Sequence, residues 1–511
     1  MSFMNAIKNE LNNEKVLTEN GAVAWRTTGK KLLDLNFAVA SLRGASEQQI
    51  INKFMDAYYE DKVTAIKWLF YCRDARQGIG ERRLFRIVMK HLATEKPEII
   101  KAVIRLVSEY GRYDDLWCLL DTSLKDDIIV HIREQLAADK QAMKNKESIS
   151  LCSKWAPSEN ASSAETKRLA KIIRNGLGMS SKEYRKMLSK MRNYIDVVER
   201  KMSAKQWGDI DYEAVPSRAN LIYNGAFLRN DEDRRRAYLG ALEKGEAKIN
   251  ASVLFPHDLV HSYAYSRSVD KGIEAMWKAL PDTVQGCGNT IVVADGSGSM
   301  QCTVGGNTGV TALEVANALA IYFAERSSGE FKDKYITFSS RPQLVDFSGA
   351  STLREKIAIA RRHNEVANTN IEATFDLILQ TAINNNMSQR DMPANVLVIS
   401  DMEFDSCATM GPATSSSWYS SRGSRPTATL FDAIAQKYAA HGYQLPRLVF
   451  WNVNSRTGAI PVKQNDLGVA LVSGFSVNVA KMVMSGKLDP YECLLEQLNS
   501  ERYRAVEEAI R

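Results

Sequence analysis

Apolar residues recur at i, i+3, i+4 and i+7 through Glu47–Tyr59, Lys62–Tyr71, Glu81–Leu92, Pro97–Tyr110 and Leu124–Ala138. That period places them on one face of an α-helix, and Gly78, Gly80, Pro97 and Gly111 punctuate the runs. After a break at Asp211–Pro216, helical patterns resume near Asn220, Asp231 and Asp258. Almost all of the chain before residue 288 therefore reads as short helices joined by short turns, a layout that suits stacked antiparallel pairs. No internal repeat is strong enough to assign a period.

The period changes at residue 288. Short apolar runs at Thr290–Ala294, Lys334–Phe338, Asn395–Ile399, Arg447–Val453 and Ala470–Ser473 read as buried strands. Between them lie helical stretches at Val310–Arg326, Ile371–Asn384 and Thr427–His441, and a last helix is expected from Leu488 to Ile510. Strands alternating with helices predict a parallel, doubly wound sheet that binds ligands beyond the carboxyl ends of its strands. The fold class is multidomain: residues 1–287 all-α, residues 288–511 α/β.

Candidate chemistry sits at those strand ends. Strand Thr290–Ala294 runs into Asp295-Gly296-Ser297-Gly298-Ser299, where a carboxylate and two hydroxyls at alternating positions can converge on one hard cation while the glycines let the backbone turn. Asn368-Thr369-Asn370 precedes a helix, and a second strand ends in Asp401-Met402-Glu403-Phe404-Asp405, so three loops border one crevice. Oxygen donors favour Mg²⁺, with Mn²⁺ and Ca²⁺ as alternatives. The plainer reading is that the hydroxyls cap helices and Asp401 ends a strand. No His or Lys lies in these loops to act as general base, so the site reads as a docking site and the protein as a non-enzyme. The Ser- and Gly-rich loop Thr409–Pro426, carrying Trp418, Tyr419, Arg422 and Arg425, follows Asp401 and could cover the crevice.

Charge separates the two halves. Residues 1–288 hold 47 Lys and Arg against 38 Asp and Glu, a balance of +9, whereas residues 289–511 hold 20 against 22, a balance of −2. Residues 154–205 alone hold 13 basic and 5 acidic residues, +8. Lys167, Lys171, Arg174, Lys182, Arg185, Lys186, Lys190 and Arg192 are the candidate RNA contacts, because a helical stripe of cations can track phosphates. The competing reading is a solvated helix face. Trp68, Trp117, Trp207 and Tyr223 fit core or groove packing better than base stacking.

Two smaller constellations read as structural. His257 and His261 stand at i and i+4, but Asp258 replaces the Glu of the zinc-protease pattern and no third ligand is near. The run from Arg73 to Arg83 could hold an anion, yet Asp74 and Glu81 sit among its arginines and favour an internal ion network. The seven cysteines, Cys72, Cys118, Cys152, Cys287, Cys302, Cys407 and Cys493, are scattered and suggest free thiols. No apolar run reaches the roughly 18 residues of a membrane span, and the first ten residues lack a signal-peptide core, which points to the cytoplasm.

The order Asp295, Ser297, Ser299, Thr369, Asp401 resembles the metal-ion-dependent adhesion site of von Willebrand factor A domains, and the resemblance implies that these five are the ligands. A basic helical domain followed by such an A-like domain resembles the plan of the Ro/TROVE ribonucleoproteins. Closer still is a related uncharacterised family, on Asn36-Phe37-Ala38-Val39, the Arg73–Arg83 run, Tyr184-Arg185-Lys186-Met187-Leu188-Ser189, Ala214-Val215-Pro216-Ser217, Phe255-Pro256-His257-Asp258-Leu259 and Val472-Ser473-Gly474-Phe475-Ser476. What this resemblance implies is a HEAT-like helical repeat, in Ro a ring, and an RNA-binding scaffold for structured or aberrant RNA, as a ring-closed monomer or another oligomer. The A-like domain would offer its metal to a carboxylate of a protein partner. The alternative is a metal-dependent protein adaptor that never touches nucleic acid; a phosphate-ester hydrolase at Asp295 and Asp401 is the weakest reading.

Overall fold

Both termini cross the boundary that the hydrophobic pattern draws. The computed structural model describes residues 15–264, 268–284, 289–305, 309–338, 341–364, 370–405, 430–461, 469–483 and 489–511. They form two units: one takes the described residues of Met1–Ser46, Phe255–Asp270 and Pro281–Gln497, the other those of Glu47–Leu254, Lys271–Leu280 and Leu498–Arg511. A cut at 287/288 separates most helices from the large sheet, but the first segment belongs with the sheet and the last with the helices.

Nor is the chain before 288 all helix. Strand β1 (Lys15–Leu17) pairs antiparallel with β2 (Val23–Trp25), and the backbones of Trp25 and Ile460 exchange hydrogen bonds of 2.8 and 2.9 Å. The helix Lys31–Phe37 buries Leu32, Leu33, Leu35 and Phe37, while Asp34 accepts hydrogen bonds from the Thr28 N–H and hydroxyl, both at 2.7 Å. Three-residue strands carry too little periodicity to be read from sequence, and the bridge from Trp25 to Ile460 spans hundreds of residues.

The α/β unit holds a six-stranded sheet in the order β5-β4-β3-β6-β7-β8. Its strands are β3 (Thr290–Asp295), β4 (Lys334–Phe338), β5 (Gln343–Asp346), β6 (Asn395–Ser400), β7 (Arg447–Asn452) and β8 (Val469–Ser473). Five run parallel, as the pattern predicts; β5 pairs antiparallel with β4 and makes the sheet mixed. Only residues 339–342 separate β4 from β5, too short for a crossover, so a return beside β4 is the available path. Helices Ala312–Arg326, Glu372–Asn384 and Leu430–Ala440 alternate with the strands, and Thr311 caps the first by accepting from the Glu314 N–H at 3.1 Å. The chain leaves β3 toward β4 on one side and reaches β6 on the other. Beyond β3 and β6 such a sheet opens a crevice.

The helical unit contains α1 (Glu47–Glu60), α2 (Lys62–Arg73), α3 (Arg83–Glu95), α4 (Lys125–Lys144), α5 (Ala164–Gly176), α6 (Ser181–Tyr194), α7 (Ser217–Asn230) and α8 (Glu232–Lys244). The Pro97–Tyr110 run is interrupted by a 3₁₀ turn at Ile104–Leu106, and the expected last helix is divided into Pro490–Leu498, a 3₁₀ turn and α9 (Arg504–Ile510). Helix α9 packs on α2, with Lys67 Nζ 2.7 Å from Glu507 Oε2.

The arginine run is an ion network. Asp115, fully buried, accepts from Arg73 Nε at 2.8 Å and Arg86 Nε at 2.7 Å; Arg82 pairs with Asp114, and Asp74 accepts from Arg502 Nε at 2.8 Å. Gly78 is demanded by the turn, since a Cβ there would stand 2.0 Å from the Tyr71 carbonyl oxygen. Burial pushes the Asp115 carboxyl up, but Arg73 and Arg86 outweigh it and hold it below its ordinary value. A depressed folded pKa contributes stability above the unfolded value of about 4 and loses it as pH falls through the lower folded value. Asp115→Ala should therefore cost about 3–5 kcal/mol in urea denaturation at neutral pH, because it strands buried guanidinium charge, with the deficit shrinking toward pH 2. An undiminished deficit at low pH would contradict the carboxylate's charged role.

Candidate functional site

Parallel pairing of β3 and β6, in the register Ala294↔Ile399, sets Asp295 beside Ser400 and brings Asp401 to the same end of the sheet. Ser400 Oγ donates to Asp295 Oδ2 at 2.6 Å and the Ser297 N–H donates to Asp295 Oδ1 at 2.9 Å. Ser297 Oγ and Ser299 Oγ are 3.0 Å apart. Asp401 Oδ1 accepts from the Glu403 N–H at 3.3 Å, while Asp401 Oδ2 is buried with no hydrogen-bond partner among the described residues. Met402 holds φ at 64°, an uncommon conformation for a residue with a side chain, and its N–H donates to Ser400 Oγ at 3.0 Å. That kink directs Asp401 and Glu403 to their separate partners.

Both carboxyls are raised from their ordinary value. Burial is the main cause for Asp295, followed by the negative charge of Asp401, with the Ser400 and Ser297 hydroxyls opposing. Burial also raises Asp401, against the Ser299 hydroxyl, the Glu403 N–H and Arg456. Two buried carboxyls that resist ionising together, one with an oxygen that accepts no hydrogen bond among the described residues, would ionise more readily beside a further cation. Asp295, Ser297, Ser299 and Asp401 are thus a donor set that fits Mg²⁺ or Mn²⁺. Thr369 and the loop Thr409–Pro426 lie outside the described residues; the neighbouring Asn370 caps its helix, Oδ1 accepting from the Ala373 N–H at 3.1 Å.

Two neighbours escaped the sequence reading. Glu403, fully buried, accepts from the N–H groups of Glu19, Arg456 and Thr457 at 2.9, 3.0 and 2.9 Å, and Arg456 Nη2 stands 3.7 Å from Asp401 Oδ2. Asp401, Glu403 and Asp405 alternate in the sequence after β6, a visible signal for Glu403. Nothing in the sequence around Arg456 indicates its role.

The basic residues sort into two groups. Lys167, Lys171, Lys182, Arg185, Lys186 and Lys190 are exposed on α5 and α6, and none forms an ion pair among the described residues. Lys182, Lys186 and Lys190 stand four residues apart along one helix face. Arg174 instead lies 3.2 Å from Glu159 Oε1. Arg192 donates to the Ser153 carbonyl at 2.9 Å, the Ala156 carbonyl at 2.6 Å and Ser158 Oγ at 2.7 Å. Its donors brace the wall of a groove. Arg192→Gln should cost about 2 kcal/mol of stability by stranding these acceptors, read as a lowered urea midpoint with the salt dependence of any RNA binding unaltered. A variant of unchanged stability would contradict the bracing role.

That groove, about 1100 Å³, is lined by Arg112, Trp155, Arg185, Arg192, Arg218 and Tyr223 among others. The Arg112 guanidinium lies over the Trp155 ring at 4.4 Å. Trp155 is the aromatic that sequence reasoning missed, whereas Trp68 and Trp117 are core residues and Tyr223 packs beside the cluster around Phe227. The two histidines part company: His261 Nδ1 lies 3.2 Å from Glu314 Oε2, and His257 stacks on Phe255 with Phe475 edge-on. Among the described residues no three His, Cys, Asp or Glu side chains cluster for a metal, and Cys72, Cys118, Cys152, Cys302 and Cys493 form no disulfide. No helix described is long and apolar enough to cross a membrane.

A helical unit joined to an α/β unit with a carboxylate crevice beyond its central strands is the class of protein these features define. The chain belongs to the same family as uncharacterized protein L728 of Acanthamoeba polyphaga mimivirus, with which it is 31% identical over 521 residues, 94% of this chain and 86% of that protein. Residues 289–509 match a domain of unknown function, DUF7788, and residues 18–141 and 177–289 match another, DUF2828. The crystal structure of the RO (RSR) protein of Deinococcus radiodurans is similar over 88% of this chain and 93% of that one, with TM-score 0.37 and 14% identity.

Proposed function

We propose that this protein is a non-catalytic, cytoplasmic RNA-binding scaffold whose α/β unit carries a divalent-metal docking site. Its helical unit engages structured or aberrant RNA, with the helices acting as a HEAT-like repeat. The observation that carries the reading is the set of six exposed cations on α5 and α6 without carboxylate partners among the described residues. Counterion release from RNA phosphates rewards such a surface, whereas a merely solvated face is normally interleaved with acids. The adjoining groove adds Trp155 and further arginines, the combination that single-stranded segments stack and slide upon.

In the crevice Mg²⁺ would be held by Asp295, Ser297, Ser299 and Asp401, with Thr369 the further ligand that the sequence order implies. Bound there, it would supply a Lewis-acidic position for a partner's carboxylate. Among the described residues no histidine or lysine hydrogen-bonds Asp295, Ser297, Ser299 or Asp401, which supports docking over hydrolysis. Purification without nuclease, followed by a salt series with a structured RNA bearing a single-stranded tail, tests the RNA reading. Tight binding that falls steeply with salt is expected. Absence of RNA binding by folded protein, together with Mg²⁺-dependent capture of a protein, would replace it with the adaptor reading that the unsatisfied Asp401 oxygen favours.

A further inference from the structure

The crevice contains a cation of its own. Arg456 Nη2 lies 3.7 Å from Asp401 Oδ2, the buried oxygen without a hydrogen-bond partner among the described residues, and 2.5 Å from Glu19 Oε2. The aim of this guanidinium is built into the backbone. Glu403 Oε1 accepts from the Arg456 and Thr457 N–H groups, Oε2 accepts from the Glu19 N–H, and the Glu403 carbonyl accepts from Asn20 Nδ2 at 2.6 Å. Thr18 Oγ1 adds a 2.6 Å hydrogen bond to the Phe404 carbonyl. One buried carboxylate, two residues past Asp401, thus pins both members of the Arg456–Glu19 pair. Their side chains remain free to turn: Arg456 is 39% and Glu19 51% exposed.

We propose that Arg456 is an intrinsic counter-ion for Asp401 that competes with the divalent cation, and that Glu19 is the station to which it withdraws. The inference rests on the metal-docking reading of the crevice. A guanidinium and a divalent ion cannot both approach the same buried carboxylate oxygen without strong mutual repulsion in a poorly solvated site. Loading the crevice therefore requires Arg456 to give up its 3.7 Å approach to Asp401 Oδ2 while it keeps its 2.5 Å contact with Glu19, and the Glu403 anchor stays fixed. The backbone segment Thr18–Ala22, which carries Glu19, thereby sets the affinity of the crevice for metal. Any partner that lifts this segment would deprive Arg456 of its alternative and weaken the metal.

Mn²⁺ alone, titrated into the full-length protein by calorimetry, tests this, with thermal melting of each metal-free variant as the check on folding. Arg456→Gln should bind Mn²⁺ about tenfold more tightly than wild type, and Arg456→Lys, which keeps the charge, should stay near wild type. Glu19→Gln should weaken binding about threefold in the wild-type background and have no effect once Arg456 is Gln, because its action runs through the guanidinium. Unchanged affinity in Arg456→Gln, with wild type binding and Asp401→Ala not binding, would overturn the competition and leave the metal site standing. Equal tightening by Gln and Lys would also overturn it, making the effect one of packing. No Mn²⁺ binding by folded wild type and Arg456→Gln would remove both the metal reading and this one.

Discussion

Replacing Lys167, Lys171, Lys182, Arg185, Lys186 and Lys190 by Gln is expected to lower RNA affinity by about two orders of magnitude near physiological salt, while the protein melts as wild type. All six side chains are exposed and form no ion pair among the described residues, so their charge is available, and the one side-chain hydrogen bond lost among those described is the exposed 3.3 Å contact of Arg185 Nε with the Ser181 carbonyl. Each cation that meets a phosphate contributes roughly 0.7–0.9 to the slope of log affinity against log salt. The variant should therefore flatten that slope by several units, a signature that general unfolding would not give. Arg174 and Arg192 are left intact by design: one pairs with Glu159 and the other braces three acceptors in the 153–158 segment. Undiminished affinity with an unchanged slope would remove α5 and α6 from the interface and leave the groove at Trp155 as the surface to test.

Asp401→Ala should abolish Mg²⁺ and Mn²⁺ binding, and Asp295→Asn should do the same while stabilising the metal-free protein. The opposed signs follow from the electrostatics. In the metal-free protein two carboxyls are buried side by side, each raised by burial, and Asp295 further by the charge of Asp401. An amide at 295 has one acceptor where the carboxylate serves both Ser400 Oγ and the Ser297 N–H, but it removes one buried charge, and the net gain is on the order of 1 kcal/mol. Saturating metal should reverse the ranking: wild type gains stability by RT ln(1 + [L]/Kd), about 2.7 kcal/mol at a hundredfold excess over Kd, and the variant gains nothing. Melting curves with EDTA and with Mn²⁺ read both signs. A metal-induced shift that survives in Asp295→Asn would place the ion elsewhere, and a destabilised metal-free variant would show Asp295 to be a structural hydrogen-bond acceptor.

Much of this arrangement is legible in residue order, and the misses share a cause. Strands such as β3, β6 and β7 are apolar runs flanked by polar turns, and α1, α3 and α4 follow a regular helical period, because both patterns arise from burial of one element's own side chains. The hairpin β1–β2 and edge strand β5 are three or four residues long, below the length at which a period exists. Arg192 and Lys190 read alike as members of one basic run. Only the packing of α6 against the 153–158 segment separates a wall brace from an exposed cation.

The chain's order of residues by itself determined two kinds of architecture, the change of period at 288, the concentration of positive charge before it and the loop in which Asp295, Ser297 and Ser299 alternate. Those properties are local, set by what each side chain and its near neighbours can bury or leave in water. Tertiary structure alone decided that residues 15–46 belong with the α/β unit, that Asp401 keeps an oxygen without a hydrogen-bond partner among the described residues, and that Glu403 fastens Glu19 and Arg456 beside it. Glu403 reaches Glu19 across 384 positions and Arg456 across 53. Pairing over such distances depends on which surfaces the folded elements bring together, and local pattern carries no record of that choice.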